Sequence, residues 1–347
     1  MKTTSIVRPA WRWLLAPMSW PYAAAMRRRN ARYDRDASAS YSAGVPVVSV
    51  GNITVGGSGK TPMVVEIVRE LLARGLRPAI LTRGYGAAAG RTPDEVEEFH
   101  DALPDVPVVV NADRVAGART ARDAHGANCL VLDDGFQHRR LRRDLDMVLI
   151  DALAPWGGGL TLPAGRLREP LDGLRRADLI VVTRRNQVDS NHLRRIEDEL
   201  SAMDVAAPVV SADVHAECVA FEDGTRCDPH ELSYSSVMPV CGIGNPATFL
   251  RLAEELAGRM CAGVLFRDHH NYRPRDVAHL LRAARRCGAD IVLTTRKDWS
   301  KLAELWRATD RPDDVRLARL EVRLCQGTPT FCSNTANFTT LLGTVNP

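Results

Sequence analysis

The chain lacks the features that would take it out of ordinary globular chemistry. No internal repeat or low-complexity tract interrupts its 347 residues, so neither a solenoid nor a compositional linker is indicated. Its eight cysteines, Cys129, Cys218, Cys227, Cys241, Cys261, Cys287, Cys325 and Cys332, are scattered without a C-x-x-C pair. That removes a zinc ribbon or a dithiol redox site from consideration, and the thiols read as reduced, structural groups of a cytoplasmic protein. No apolar run reaches the roughly 20 residues of a spanning helix. The nearest, Trp13 to Met26, is broken by Pro17 and Pro21. A strong charge of either sign is also missing, the net being +4. What is there, 45% hydrophobic and 25% charged residues, is a globular composition, and the length predicts two domains of ordinary size.

The charge is nevertheless uneven. Residues 1–36 hold eight basic side chains against two aspartates, a net +6 that leaves −2 for the rest. Trp11, Trp13, Trp20 and Tyr22 lie among those arginines. A nucleic-acid binder carries its basic face on a folded domain, whereas indole rings beside arginines suit an anionic membrane surface. Nucleic acid is accordingly not an expected partner, and no obligate protein partner is evident. A signal peptide ending near Ala23, Ala24 and Ala25 would export the Gly56-Gly57-Ser58-Gly59-Lys60-Thr61 loop that follows, a phosphate-binding pattern, to a compartment without ATP. Two compatible readings of the segment stay open: an interfacial anchor, and a helix packed on its own domain.

From residue 45 the pattern turns to strand, turn and helix. Val45 to Val50 is a short β-branched run, and Met63, Val64, Ile67, Val68, Leu71 and Leu72 recur at helical spacing until Gly75. Between them lies Thr54-Val55-Gly56-Gly57-Ser58-Gly59-Lys60-Thr61, a Walker A loop in the context the motif requires, with Thr54 where the first glycine is usual. Small residues let successive N–H groups and the helix N-terminus face the phosphate oxygens of ATP. Lys60 then reaches the β and γ phosphates, and the Thr61 hydroxyl ligates Mg²⁺. Cys129-Leu130-Val131-Leu132-Asp133-Asp134 supplies the second element, an apolar strand ending in carboxylates placed to hold magnesium or its water shell.

Further strands are expected at 79–82, 106–110, 146–150 and 179–183, with a helix over 114–124. Such alternation predicts an α/β, P-loop NTPase-like fold with a mostly parallel sheet and helices on both faces. Strands at 237–241 and 290–294, with helices at 247–256 and 274–286, predict a second, smaller α/β domain. The expected division is a basic, Trp-rich, membrane-associated segment over 1–40, a P-loop domain over 41–215 and a smaller domain over 216–347 that closes the active-site cleft.

Several unusual strings occur together in one order: Val50-Gly51-Asn52-Ile53-Thr54-Val55-Gly56-Gly57-Ser58-Gly59-Lys60-Thr61-Pro62, Arg83-Gly84-Tyr85-Gly86, Asp133-Asp134-Gly135-Phe136-Gln137-His138, Leu162-Pro163-Ala164-Gly165-Arg166-Leu167-Arg168-Glu169-Pro170, Gly242-Ile243-Gly244-Asn245-Pro246 and Asp268-His269-His270. Over roughly residues 45–300 the chain resembles the tetraacyldisaccharide 4'-kinase (lipid A 4'-kinase) family, whose loop is similar even at Thr54. The resemblance implies transfer of the ATP γ-phosphoryl group to the 4'-hydroxyl of an acylated glucosamine disaccharide. It also implies a two-domain P-loop fold, and peripheral association with the cytoplasmic face of the inner membrane through an N-terminal helix. Asp94 matches the family's catalytic aspartate and His269 the histidine that supports it, with His270 as the neighbouring alternative. The family's Gly-Asp-Glu-Pro is here Pro93-Asp94-Glu95-Val96, which keeps the acidic pair and loses both flanking residues.

Phosphoryl transfer asks a protein mainly for positioning and charge cancellation, with a carboxylate such as Asp94 near the acceptor hydroxyl. Glu169 is expected either in the metal's outer shell or in a surface ion pair with a neighbouring arginine. Gln137 and His138 are expected to shape the site after the double aspartate. Arg83, Arg139, Arg140, Arg142 and Arg143 are candidates for the substrate's own phosphate, since a guanidinium fork suits phosphate oxygens, and Arg83 is the foremost of them. The rival function is a membrane-associated ATPase or GTPase switch. Val55 stands where a partitioning ATPase has its signature lysine, and Thr295-Arg296-Lys297-Asp298 carries its lysine one place late for a guanine reader. Asp268-His269-His270 taken as a phosphoesterase motif would leave the Walker A loop unexplained.

Overall fold

A computed structural model of the chain describes residues 12–84, 94–268, 270–309 and 314–326. The strands that build the first half of the sheet are β1 (Val47–Asn52), β2 (Pro78–Thr82), β3 (Val108–Val110), β4 (Cys129–Asp133), β5 (Leu145–Asp151), β6 (Leu179–Thr183) and β7 (Val209–Phe221). The second half holds β8 (Arg226–Cys227), β9 (Ser236–Cys241), β10 (Arg259–Met260), β11 (Val264–Leu265), β12 (Ile291–Thr295) and β13 (Arg316–Gln326). The sheet order is β10-β9-β12-β13-β7-β6-β5-β1-β4-β2-β3, with β11 beside β9 and β8 beside β7. β1, β2, β4 and β6 are buried at every position. Their unbroken Val/Ile/Leu runs are what a parallel sheet covered on both faces requires.

Helices α1 (Arg12–Arg35), α2 (Lys60–Ala73), α3 (Asp94–Ala102), α4 (Arg114–His125), α5 (Ser190–Ala202), α6 (Ala247–Leu256), α7 (Pro274–Cys287) and α8 (Arg296–Arg307) supply that cover. Val64, Ile67 and Leu71 of α2 and Phe99 of α3 pack on one face of the first half. Ala118 and Ala121 of α4, and Leu193, Ile196 and Leu200 of α5, pack on the other. In the second half α7 and α8 share one core and α6 another. Local chemistry sets the ends: Asp113 accepts from the Val115 amide at 3.0 Å to start α4, and Gly126 ends it at a φ of 64°.

Along the sheet the neighbours are parallel except at β7, which runs antiparallel to both β13 and the short β8. β7 is 13 residues long; Val209 to Ala212 pair with β6, and Ala212 to Phe221 pair with β13. The expected boundary at 215 therefore falls within one continuous strand, and 315–324 lies in the seam between the halves. α3, α5 and α8 are helices beyond those that the sequence pattern predicts. α1 is one helix of 24 residues with Pro17 and Pro21 inside it. Among the described residues, no helix is long and apolar enough to cross a membrane.

Candidate active site

In the first half, β2 and β4 lie to one side of β1 and β5 to the other, so the strand order reverses at β1. The crevice outside the carboxyl ends of strands at such a point is where open α/β sheets take their ligands. A cleft of about 860 Å³ opens there. Val55 to Thr61, Arg83, Asp133, Asp134 and Gln137 line it from the first half, and Ile243 to Asn245, Asp268, Arg296 and Lys297 from the second. Tyr22, Met26 and Arg29 of α1 form part of its rim.

The Walker loop turns into α2 at Gly59, whose φ of 85° is open to glycine at little cost. Lys60, the first residue of α2, sits 3.5 Å from Asp134, which also pairs with Arg168 at 2.5 Å. These cations outweigh burial and hold the Asp134 carboxyl below the usual range. Its neighbour behaves oppositely. Asp133 is 2% exposed, receives the Thr82 hydroxyl at 3.3 Å on one oxygen, and has no hydrogen-bond partner on the other. Burial, with Glu95 nearby, pushes its pKa up to about 7. A buried carboxylate short of a partner at a phosphate site is suited to a cation.

Glu169 does not line the cleft. It is fully buried, and its oxygens are taken by Asn30 at 3.0 Å, Gln137 at 2.7 Å and Arg176 at 2.7 and 2.8 Å. Glu169 is thus held in a buried ion pair with Arg176, one side chain behind the cleft-lining Gln137. Thr54 is likewise outside the cleft lining, in an isolated bridge to Leu167. Gln137 faces the cleft while donating to the Asn52 carbonyl at 2.9 Å. His138, the next residue, is half-buried and outside the cleft lining, with burial and the nearby Arg114, Arg140 and Arg29 depressing its pKa to about 4.

Asp94 is the first residue of α3, and Glu95 and Glu98 of that helix line the cleft. The Asp94 side chain and the whole of His269 lie outside the described residues. His270 stacks on Phe266 with ring centroids 4.4 Å apart and meets Asp276 at 3.2 Å, which makes it a packing group. Arg139 is bonded to α1 through Asn30 and Asp34, and Arg143 to Asp146, so neither is presented to a substrate. The cleft is also lined by Thr82, Arg168, Arg184 and Glu98, which the sequence reading gives no site role, and by Lys297, which it considers only as part of a base-reading string. Arg168 had a signal in its position beside Glu169, whereas nothing local marks Arg184.

α1 is tied down along its length. Ser19 exchanges bonds with Thr161 at 2.8 and 3.0 Å, the Tyr22 hydroxyl donates to the Arg168 carbonyl at 2.8 Å, and Arg29 donates to the Gln137 carbonyl at 2.7 Å. Met18 and Trp20 point outward, 59% and 77% exposed.

Comparison with known proteins agrees with this geometry. A family model described as tetraacyldisaccharide-1-P 4'-kinase matches residues 11–336. The tetraacyldisaccharide 4'-kinase of Syntrophus aciditrophicus is 35% identical, the match covering 84% of each chain. That of Anaeromyxobacter sp. (strain Fw109-5) is 38% identical, covering 88% of this chain and 87% of the relative. The crystal structure of LpxK from Aquifex aeolicus in complex with ATP superposes with a TM-score of 0.70 at 26% identity, covering 96% of this chain and 99% of the other. With a Walker loop, a double aspartate and an N-terminal helix gathered at one cleft, and with matches across nearly the whole length, the chain belongs to the tetraacyldisaccharide 4'-kinase family.

Proposed function

We propose that the chain transfers the γ-phosphoryl group of ATP to the 4'-hydroxyl of a tetraacylated glucosamine disaccharide 1-phosphate while seated on a membrane surface. The carrying observation is that one cleft is lined both by the phosphate loop and by Tyr22, Met26 and Arg29 of the helix that bears Trp20. A lipid held at the rim presents its headgroup toward the nucleotide. The rival switch reading is not favoured, because the family matched is a kinase family.

Lys60 and the loop amides cancel charge on the β and γ phosphates. Among the described residues no cluster of three or more His, Cys, Asp or Glu side chains is able to hold a metal alone. A magnesium ion brought with the nucleotide would therefore depend on few protein ligands here. Thr61 and Asp133, with its unpartnered oxygen, would hold it, Asp134 lying beside them. Its chemistry is charge neutralisation on the transferring group. Asp94 takes the proton of the acceptor hydroxyl and His269 supports it. Arg83 and Gln137, on the cleft wall, orient the acceptor, and His138 backs Gln137. Met18 and Trp20 enter the lipid interface, with the α1 arginines toward anionic headgroups.

The test is transfer of label from γ-labelled ATP to a tetraacylated disaccharide 1-phosphate in mixed micelles, resolved by thin-layer chromatography. Folded wild-type protein labels the lipid and Lys60→Ala does not. A folded wild-type protein that turns over ATP but leaves the lipid unlabelled would sink the assignment.

A further inference from the structure

We infer that Arg166 and Arg184 are positioning residues that hold the Walker loop in its phosphate-binding shape by capturing the outward carbonyls of that loop. The inference rests on the proposed nucleotide role of the loop, and not on the identity of the acceptor.

In a planar trans peptide the C=O and the following N–H point in opposite directions. A carbonyl fixed on the back of a loop therefore fixes the next N–H toward the front. Arg166 donates to the Val55 carbonyl through Nε at 2.9 Å and Nη2 at 2.6 Å. Arg184 donates to the Gly57 carbonyl at 2.9 Å, and the Thr183 hydroxyl to the Ser58 carbonyl at 3.1 Å. The peptides so fixed are those whose N–H groups belong to Gly56, Ser58 and Gly59. Each is a donor that a phosphate-binding loop needs turned inward. A cation on the carbonyl side also polarises the peptide, which strengthens its N–H as a donor.

Two further observations indicate that the braces set the loop's shape. Thr54 occupies the position of the usual first glycine, and it bridges Leu167 in extended pairing while the Val55 N–H donates to the Arg166 carbonyl at 2.7 Å. The entry to the loop is thus held by the segment carrying Arg166, where a glycine would otherwise supply the turn. Gly56 adopts a φ of 125°, which favours glycine, and a Cβ there would stand 2.0 Å from Arg166 Nη2, so a larger residue would displace the guanidinium from the Val55 carbonyl. On the other side Arg184 is 8% exposed, adopts a left-handed φ of 60° and pairs with Asp151 at the end of β5. A left-handed non-glycine residue and a buried ion pair both cost stability or add little. Together they aim one guanidinium N–H at the Gly57 carbonyl.

The test uses full-length protein and three variants: Arg166→Ala, Arg184→Lys, and the paired change Arg184→Gln with Asp151→Asn, which removes both buried charges together. Calorimetric titration with Mg-ATP, lipid absent, reads the loop alone; steady-state assays add KM for ATP and for lipid. Arg166→Ala and the paired variant should each weaken ATP binding by about 10-fold, the scale of one charge-assisted hydrogen bond. Tm without nucleotide and KM for lipid should stay near wild type, and Arg184→Lys should fall between. If the paired variant fails to fold, Arg166→Ala, altered at an exposed side chain, decides alone. A lowered Tm with unchanged ATP affinity would show the arginines to be struts of the fold, and unchanged affinity in Arg166→Ala would overturn the inference. Weaker ATP binding in the variants beside a wild-type protein that labels no lipid would uphold the inference and remove the lipid-kinase reading.

Discussion

The two walls of the cleft solve different problems. The wall made by β1, β4 and α2 is fixed by backbone: a loop braced on its carbonyls, a helix N-terminus, and two aspartates at a strand end. The wall made by β12 and α8 is held by side chains from separate segments. Lys297 pairs with Asp268 at 3.0 Å, and buried Asp298 accepts from the Gly242 amide at 2.9 Å and the Thr295 hydroxyl at 2.8 Å. The halves meet through the antiparallel joint of β7 and β13, with exposed pairs such as Arg323 and Glu66 at 2.8 Å beside it. The difference teaches that a site for an invariant group, phosphate, is written into contiguous backbone. The surface opposite it is assembled by charge pairing.

The most severe way to break the first wall is Lys60→Ala. It should lower phosphoryl transfer by about 10²- to 10³-fold or more, the scale of losing one preorganised electrostatic partner. The Tm should change little, since the ion pair lost lies 3.5 Å apart at a cleft. Radiolabel transfer together with a melting curve checks both halves of the expectation.

Asp94 is the first residue of α3, the helix whose Glu95 and Glu98 line the cleft. Asp94→Ala should cost about 10²-fold in kcat, the lower end for general-base assistance, with little change in KM for ATP. If His269 supports it, the double variant should be far less impaired than the product of the two single effects. Strictly multiplicative losses would separate the two residues.

The rim can be tested apart from either wall. Arg27 pairs with Asp172 and Arg29 with the Gln137 carbonyl, so reversing them would loosen α1 from the body as well as from a membrane. Arg28→Glu with Trp20→Ala is cleaner. Reversing one charge should weaken binding to anionic vesicles by about 2 kcal/mol, roughly 30-fold, with Trp20 adding an apolar loss. Vesicle sedimentation unaffected by this pair would take α1 out of the membrane contact.

The smallest effect sharpens the view across the cleft. Enclosure raises the Glu98 pKa from near 4.5 to about 7, against the pull of Arg296 and Lys297 and with repulsion from Glu95 and Asp101. The folded protein therefore holds this proton more tightly than the unfolded chain. Its stabilising contribution is complete below about pH 4.5 and is lost as pH rises to about 7. Glu98→Gln removes that titration, so the Tm of the variant should gain on wild type across this window and run parallel above it. Parallel Tm profiles throughout would show that Glu98 ionises normally.

Much of the nucleotide wall was legible in advance because its parts are consecutive. Val47 to Asn52, the loop and α2 follow one another, so β-branched runs, small residues and helical spacing predict them without long-range contacts. Asp133 and Asp134 were legible as a pair. Their opposite electrostatics were not, since these depend on Lys60, Arg168 and Glu95 arriving from three other segments. α3 is short and begins directly after Pro93, and the first residues of α8 coincide with the Thr295-Arg296-Lys297-Asp298 string, so no local pattern marks either helix.

Sequence alone determined the phosphate loop, the paired carboxylates, the alternating α/β pattern and the basic, Trp-bearing N-terminal segment. Each is set by near neighbours through backbone geometry and periodicity. Tertiary structure alone decided that Glu169 serves as a buried anchor between α1 and the body, and that Arg184 reaches back to the Walker loop. It alone decided that β7 carries both halves on one strand. A side chain's partner is chosen by whatever packing brings within about 3 Å of it, and for these residues the partners come from segments that no local pattern links to them.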